Sequence, residues 1–324
     1  MATMTEAPET IAKQTPSHEY HAEAHVLSVE LKRPIEQKIE QHAPVALKDR
    51  RGGHLTRFIE DVSIEGLISF KRGHTRVSGS KSLKHHGWVT LSTSTLEGLN
   101  VFEVISADRV VAQVSTEHPY EKGHVPHVTF LGTKFENLQV GGFAIKLTLN
   151  LGVCGKKPEG DKPYLEDSKF LRGIREQIAS IAKAGFLPKT VQKQYDERLT
   201  EIDRLIDQNG GGKANHDRVK VTCSLVESID IKGIPIPGLE TVGNVLVIPD
   251  FGSVSLAEVE VGIEPSKPSS EFQRHELNAG GSSNNGKPEL SNYFTLKMLN
   301  MEMGCVGTGN VSAGSATSNG NTHP

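Results

Sequence analysis

The stretch "WVTLSTSTL", residues 88–96, indicates the class of fold. Its residues alternate between two faces of an extended chain: one face carries Val89, Leu91 and Thr93, and the other carries Thr90, Ser92 and Ser94. A period of two is the pattern of a β-strand with one buried side. Further stretches rich in Val, Ile, Thr and Phe predict strands at residues 100–118, 127–140, 143–153, 217–231, 243–261 and 292–303. The sequence therefore predicts a mainly β protein, built as an antiparallel sandwich or a barrel-like domain.

Residues 165–209 depart from this pattern, because their apolar side chains recur every three or four positions. The first run is Phe170, Ile174, Ile178 and Ile181, and the second is Val191, Tyr195, Leu199, Ile202 and Ile206. The two runs predict an antiparallel α-helical hairpin inserted in the β protein. Its apolar stripes either bury against each other and the sheet, or leave a surface for a protein partner or for self-association.

Polar segments set the expected limits of the domain. Residues 1–22 and 313–324 have too few apolar side chains to offset the entropy of ordering, and we expect both to be disordered tails. Residues 23–312 are expected to form the β domain, interrupted by the hairpin at 165–209 and by a flexible polar loop at 264–290.

The composition excludes some classes of protein. A net charge of -3, from 36 basic and 39 acidic residues, lacks the strong positive field of a dedicated nucleic-acid binder. Cys154, Cys223 and Cys305 are widely spaced and fit buried free thiols better than a metal knuckle or a disulfide framework. The N-terminus as written has no secretory signal, and no apolar stretch reaches the roughly 20 residues that span a bilayer. We therefore expect a soluble, cytoplasmic protein.

The stretch "HPYEKGHVPH", residues 118–127, contains the only candidate metal ligands that we single out, His118, His124 and His127. Three histidines with one open position could hold zinc. The prolines and the glycine between them are also what a turn between two strands requires, since Pro fixes φ and Gly permits positive φ. We expect a turn without a structural metal.

A basic segment at residues 70–86 is the candidate anion site. It contains no acidic residue and carries Lys71, Arg72, Arg76, Lys81 and Lys84. Such a cluster attracts phosphate or another anion. A solvated loop is the alternative interpretation, and the scarcity of aromatic residues gives little support to single-stranded nucleic acid as a ligand.

No catalytic or cofactor motif stands out in the chain. The tripeptide at 250–252, "DFG", lacks the rest of a kinase signature and is flanked by two predicted strands, so we interpret it as a turn. The glycine-rich stretch at 304–314 lacks the lysine of a phosphate loop. The sequence therefore names no catalytic residue and no cofactor, although an enzyme of unrecognised type stays open.

Four stretches, residues 93–118, 125–142, 243–261 and 293–314, resemble segments of uncharacterised bacterial β-rich proteins of the choice-of-anchor P group. One shared phrase has the form G-L-x5-I-x-A-D and here uses Gly98, Leu99, Ile105, Ala107 and Asp108. The resemblance covers about a third of the chain and implies strands and turns but no catalytic residue. The chain as written departs from the anchored members in lacking a signal peptide and a sorting segment.

Two hypotheses of function follow. The first is a noncatalytic binding or structural module that contacts a partner, or a second copy, through the hairpin. The alternative is a β protein that binds a small ligand, a metal or an anion with residues 71–86 and 118–127.

Overall fold

The computed structural model describes residues 17–33, 36–82, 87–120, 125–159, 162–211, 219–265, 290–304 and 308–323. Strands make up most of these ranges and pair antiparallel, and two α-helices form a hairpin between strands. The predicted mainly β fold with an inserted helical hairpin is therefore confirmed. The described strands form two facing sheets and a short ribbon rather than a closed barrel.

The first strands are β1 (Ser17–Arg33), β2 (Gln37–His42), β3 (Val45–Asp49), β4 (Gly53–Ile64), β5 (Ile68–Ser82), β6 (Gly87–Val101) and β7 (Ile105–Pro119). Short strands follow, namely β8 (His127–Thr129), β9 (Lys134–Glu136), β10 (Gln139–Val140), β11 (Phe143–Ala144) and β12 (Lys146–Leu149). The helical part comprises a 3-10 turn (Tyr164–Glu166), α1 (Ser168–Ala182) and α2 (Lys189–Gly211). The last strands are β13 (Lys220–Ser224), β14 (Val226–Asp230), β15 (Glu240–Val242), β16 (Val245–Ile248), β17 (Gly252–Pro265), β18 (Leu290–Met303) and β19 (Thr308–His323).

The strands build two sheets. Sheet I has the order β15-β16-β17-β18-β19-β1-β2, with β13 beside β17 and β3 beside β1. Sheet II has the order β11-β10-β7-β6-β5-β4, with β8 and β9 beside β7. Strands β1, β18 and β19 of sheet I face β5, β6 and β7 of sheet II. The turn predicted at 250–252 joins β16 to β17.

One part of the interface between the sheets is lined by hydroxyl groups. On β6 the buried side is the one with Ser92 and Ser94, which have no exposed surface. The Ser92 hydroxyl donates to the Glu23 carbonyl at 2.5 Å, and the Ser94 hydroxyl donates to the His25 carbonyl at 2.8 Å. These bonds reach from sheet II to the backbone of β1, so small side chains allow the sheets to approach closely. Elsewhere the buried apolar side chains form one large cluster and a second, smaller one that contains Tyr20 and Trp88.

The predicted limits of the tails are wrong where the structure describes them. Strand β1 begins at Ser17, and β19 extends to His323, within the segments expected to be disordered. The two strands pair from Ser17 with His323 to Arg33 with Thr308, and β19 also pairs with β18. Ala313 and Ala316 have no exposed surface. Residues 313–323 are therefore a central strand of sheet I, whereas residues 1–16 and 266–289 lie outside the described ranges.

The helical hairpin packs on sheet I. Helix α1 begins where the Asp167 carboxylate accepts from the backbone N–H of Lys169 at 2.8 Å, a capping contact. Both helices contact β13. The apolar stripe is buried, with no exposed surface at Leu171, Ile202 or Leu205. The apolar stripe of the hairpin thus packs within the chain, and the surface that the helices present to other molecules is mainly polar.

Candidate functional site

The candidate metal ligands are not brought together. His118 of β7 is fully buried and opposes Trp88 of β6 inside the sandwich. His127 of β8 opposes Glu117, the neighbour of His118 along β7. Because consecutive strand residues point to opposite faces of a sheet, His118 and His127 lie on opposite sides of sheet II. They cannot bind one ion together, and His124 lies outside the described residues.

His118 instead belongs to a buried aromatic cluster at one end of the sandwich. The ring of His18 stacks on Trp88 with 5.2 Å between centroids, and it lies 4.7 Å from His118 and 4.8 Å from Tyr20. Burial, with a smaller effect of the nearby Tyr120, raises the pKa of Tyr20 to about 12. The tight ring contacts indicate a packing role. Within the described ranges, no group of three metal-ligating side chains occurs.

The basic residues of the candidate anion site are also separated. Arg72 and Arg76 face outward from sheet II, opposite Glu97 and Thr93 of β6. Lys81 lies at the end of the same strand, with its ammonium 5.0 Å from the centre of the Tyr120 ring. Lys71 also lies on β5, whereas Lys84 is outside the described residues. No single cationic pocket results among the described members of the set.

Arg72 is part of a row of charges that crosses the outer face of sheet II. Five directly opposed residues on β4, β5, β6, β7 and β9 alternate in sign: Glu60, Arg72, Glu97, Arg109 and Glu136. Arg72 Nε lies 3.4 Å from Glu60, and Arg109 Nε lies 3.7 Å from Glu97. We call these five residues the charge row. Each exposed pair contributes little to stability, about 0–1 kcal/mol, so the row is more informative about recognition.

The carboxylate of Glu136 lies at the β9 end of the charge row. A hydrogen bond from Lys134 holds the pKa of the Glu136 carboxyl below its usual value; burial opposes this effect, and the charges of Lys134 and Arg109 support it. Lys134 Nζ lies 2.5 Å from Glu136. Glu136 therefore keeps its negative charge at neutral pH.

An exposed aromatic residue lies beside the charge row. Phe58 of β4 is 60% exposed, and its ring meets His74 of β5 edge-on at 6.4 Å. A shallow hollow of about 330 Å³ is lined by Phe58, Arg72, His74, Thr95, Glu97 and Arg109. An aromatic ring, guanidinium groups and carboxylates can recognise a polar partner surface by packing and paired charges. We call this hollow and the charge row the sheet II face.

The sequence predicted Arg72 but not the other members of the sheet II face. Glu60, Glu97, Arg109 and Glu136 are ordinary charged residues in separate stretches, and only the register of five strands places them side by side. The signal that could have drawn attention was Phe58, an aromatic residue within the charged stretch "TRFIEDV" at 56–62.

Two larger cavities lie beside the helical hairpin. One, of about 550 Å³ beside α2, contains charged groups that are already paired, such as Lys220 with Glu260 at 2.9 Å. The other, of about 1150 Å³, has Cys154 in its wall. Cys154 and Cys223 are buried free thiols, as predicted, and their mutual hydrogen bond together with burial raises the pKa of Cys154. A protonated, buried thiol is a poor nucleophile.

Comparisons with known proteins place the chain in a family. No curated protein and no solved structure matches it. No helix in the described ranges has the length and apolar character needed to cross a membrane. One family model matches residues 18–262, a range that contains all of sheet II and the helical hairpin. The chain therefore belongs to the family described as Domain of unknown function (DUF8256).

Proposed function

We propose that this chain is a noncatalytic interaction module that binds a protein partner through the sheet II face. The observation that carries the proposal is the charge row of alternating sign beside an exposed phenylalanine. A single small anion would use only the arginines, whereas a protein surface can oppose positive and negative groups in register. Exposed aromatic and arginine side chains are typical of the centres of protein interfaces.

The packing of the two sheets supports this choice of surface. The outer face of sheet I is partly occupied by the hairpin, where Arg198 reaches Glu258 and Gln177 pairs with the backbone of Ser224. Both helices contact each other and β13, which belongs to sheet I. The helical hairpin is accordingly a less suitable contact surface than the sequence suggests, because its apolar stripe is already covered.

The geometry gives less support to the anion-binding alternative. Arg72 lies between two carboxylates, Glu60 and Glu97, which neutralise its charge. Lys81 rests on Tyr120 at a distance from the charge row. An anion entering the hollow would meet the repulsion of Glu97 as well as the attraction of the arginines.

Site-specific photo-crosslinking in the host cell tests the proposal. A benzoylphenylalanine at Thr93, in the middle of sheet II, should form a covalent adduct with a partner protein. The same group at Lys193, on the exposed surface of α2, should form none. Phe58→Ser should abolish the adduct at Thr93 while the chain stays folded, because the Phe58 ring is largely exposed within the chain.

The opposite pattern would overturn the proposal. Adducts at Lys193 and none at Thr93 would assign the contact to the hairpin. Titration of the purified protein with inorganic phosphate, followed by calorimetry, should show no saturable heat. Saturable binding that is lost in Arg76→Ala would favour the anion-binding alternative.

A further inference from the structure

Strand β4 is the long open edge of the protein. It forms one end of sheet II and has 12 residues, most of them exposed. The other strands at the margins of the two sheets, as far as the chain is described, are short: β2 has 6 residues, β3 and β13 have 5, β8, β9 and β15 have 3 and β11 has 2. Shortness is a common protection against edge-to-edge pairing, and β4 lacks it.

The exposed side chains of β4 are suited to an interface. Leu55 is 44% exposed and Phe58 is 60% exposed. The strand contains no proline, and its positive-φ residues are Gly53, at its first position, and Asp61, at 50°. Proline and lysine on an edge discourage pairing, and neither occurs between 53 and 64.

Two charges of β4 have no partner among the described residues of the chain. Glu60 pairs with Arg72, but neither Arg57 nor Asp61 takes part in an ion pair or a side-chain hydrogen bond there. These two residues have opposite signs, and both lie two positions from Ile59.

We propose that β4 pairs antiparallel with β4 of a second copy of this chain, about a two-fold axis at Ile59. In this register Arg57 of each copy opposes Asp61 of the other, which gives two reciprocal charge pairs. A two-fold axis at Arg57 would place guanidinium groups together, and one at Glu60 would place carboxylates together. Charge complementarity therefore selects Ile59 as the centre.

The same register brings the two Phe58 rings into diagonal contact. Phe58 would directly oppose Glu60 of the other copy, with the second Phe58 as a diagonal neighbour on the same face. Diagonal neighbours in antiparallel strands are about 7–8 Å apart, within reach of aromatic rings. The pairing would also satisfy the outward backbone N–H and C=O groups of β4 and join the two copies of sheet II into one continuous sheet.

Analytical ultracentrifugation of the full chain, with complementary charge variants, tests this dimer. The intact protein should sediment as a dimer that dissociates on dilution. In a dimer of Arg57→Asp, the new carboxylate of each copy would face the Asp61 carboxylate of the other. In a dimer of Asp61→Lys, the new ammonium of each copy would face the Arg57 guanidinium of the other. Because like charges repel, each variant alone should be monomeric. A mixture of the two variants restores both charge pairs and should form a heterodimer, which native mass spectrometry distinguishes from each homodimer by mass.

Thermal denaturation of each variant shows that it is folded, and Lys193→Asp on α2 is the matched control that should leave the dimer unchanged. An intact protein that stays monomeric up to about 100 μM, a concentration that detects micromolar affinity, would overturn the inference. Dimers that persist in both single variants, or a mixture that stays monomeric, would refute this register. The crosslink from Thr93 reports on the sheet II face independently, because Thr93 lies two strands from the β4 edge.

Discussion

Replacing Arg198 tests whether the helical hairpin is part of the fold. Arg198 of α2 donates from Nη1 to Glu258 Oε1 of β17 at 2.8 Å. The side chains of Arg198 and Glu258 are 27% and 6% exposed. Asn300 of β18 donates to the second oxygen of Glu258 at 3.3 Å. In Arg198→Met this carboxylate would keep one amide donor and lose its counter-charge.

The expected loss follows from the burial of the carboxylate. Breaking a fully buried ion pair by removing one partner costs about 3–5 kcal/mol, because an unpaired charge is left in the interior. Arg198 is partly exposed, so water can approach the vacated space, and we expect a loss of about 2–4 kcal/mol in the free energy of unfolding. Glu258→Gln removes the buried charge and should cost less. The double variant should show a coupling energy of about 1–3 kcal/mol.

Denaturation in urea measures these values with two probes. The fluorescence of Trp88, the single tryptophan of the chain, reports on the sandwich, and circular dichroism includes the helices. The two transitions should coincide in the wild type and move together in Arg198→Met. Lys193→Met, on an exposed side of the same helix, should change stability within about 0.5 kcal/mol. Two results would show that the hairpin is an independent appendage. One is a loss of stability in Arg198→Met within the limit of about 0.5 kcal/mol expected for Lys193→Met. The other is a loss of the helical circular dichroism signal at a lower urea concentration, with the Trp88 transition unchanged.

Deleting residues 313–324 should leave the chain unfolded, because β19 pairs with strands on both of its sides; circular dichroism and limited proteolysis would show this. Gly79→Ala should destabilise the protein by about 1–3 kcal/mol in urea denaturation, since an added Cβ would lie 2.5 Å from the Tyr20 ring. Burial, with the nearby charge of Lys297, lowers the pKa of His25 from 6.5 to about 4. As the pH decreases from 6.5 to about 4, His25 therefore binds a proton in the unfolded chain but not in the folded one. The free energy of unfolding should fall by up to about 3 kcal/mol over this range, and His25→Gln should remove this fall.

Each of these outcomes has a direct contradiction. A shortened chain with the melting temperature of the wild type would restore the interpretation of 313–324 as a dispensable tail. Gly173→Ala is the control for Gly79→Ala, because nothing lies within 4 Å of its added Cβ and alanine favours a helix. Equal stabilities in the two alanine variants would refute the steric argument. Identical pH profiles in the wild type and His25→Gln would refute the role of His25.

The local periodicity of the sequence determined the elements. Alternation at 88–96 and in the other stretches predicted strands, and recurrence every three or four residues at 165–209 predicted the two helices. These patterns are local because the geometry of an extended or helical chain alone sets which side chains share a face. The turn at 250–252 was predictable for the same reason, since a tripeptide ending in glycine between two apolar runs meets the needs of a turn.

The tertiary structure decided what the local pattern could not. The segment "SAGSATSNGNTH" at 312–323 is too polar to be recognised as a central strand, and it becomes one because β1 and β18 bond to both of its edges and its small side chains fit the narrow space between the sheets. The direction of His118 depended on which side of β7 faces the core. The charge row exists only because the register of five strands aligns residues far apart in the chain. Pairing and burial across the whole molecule set the register of the strands and decide which side chains point to the core. A short stretch of sequence therefore does not contain this information.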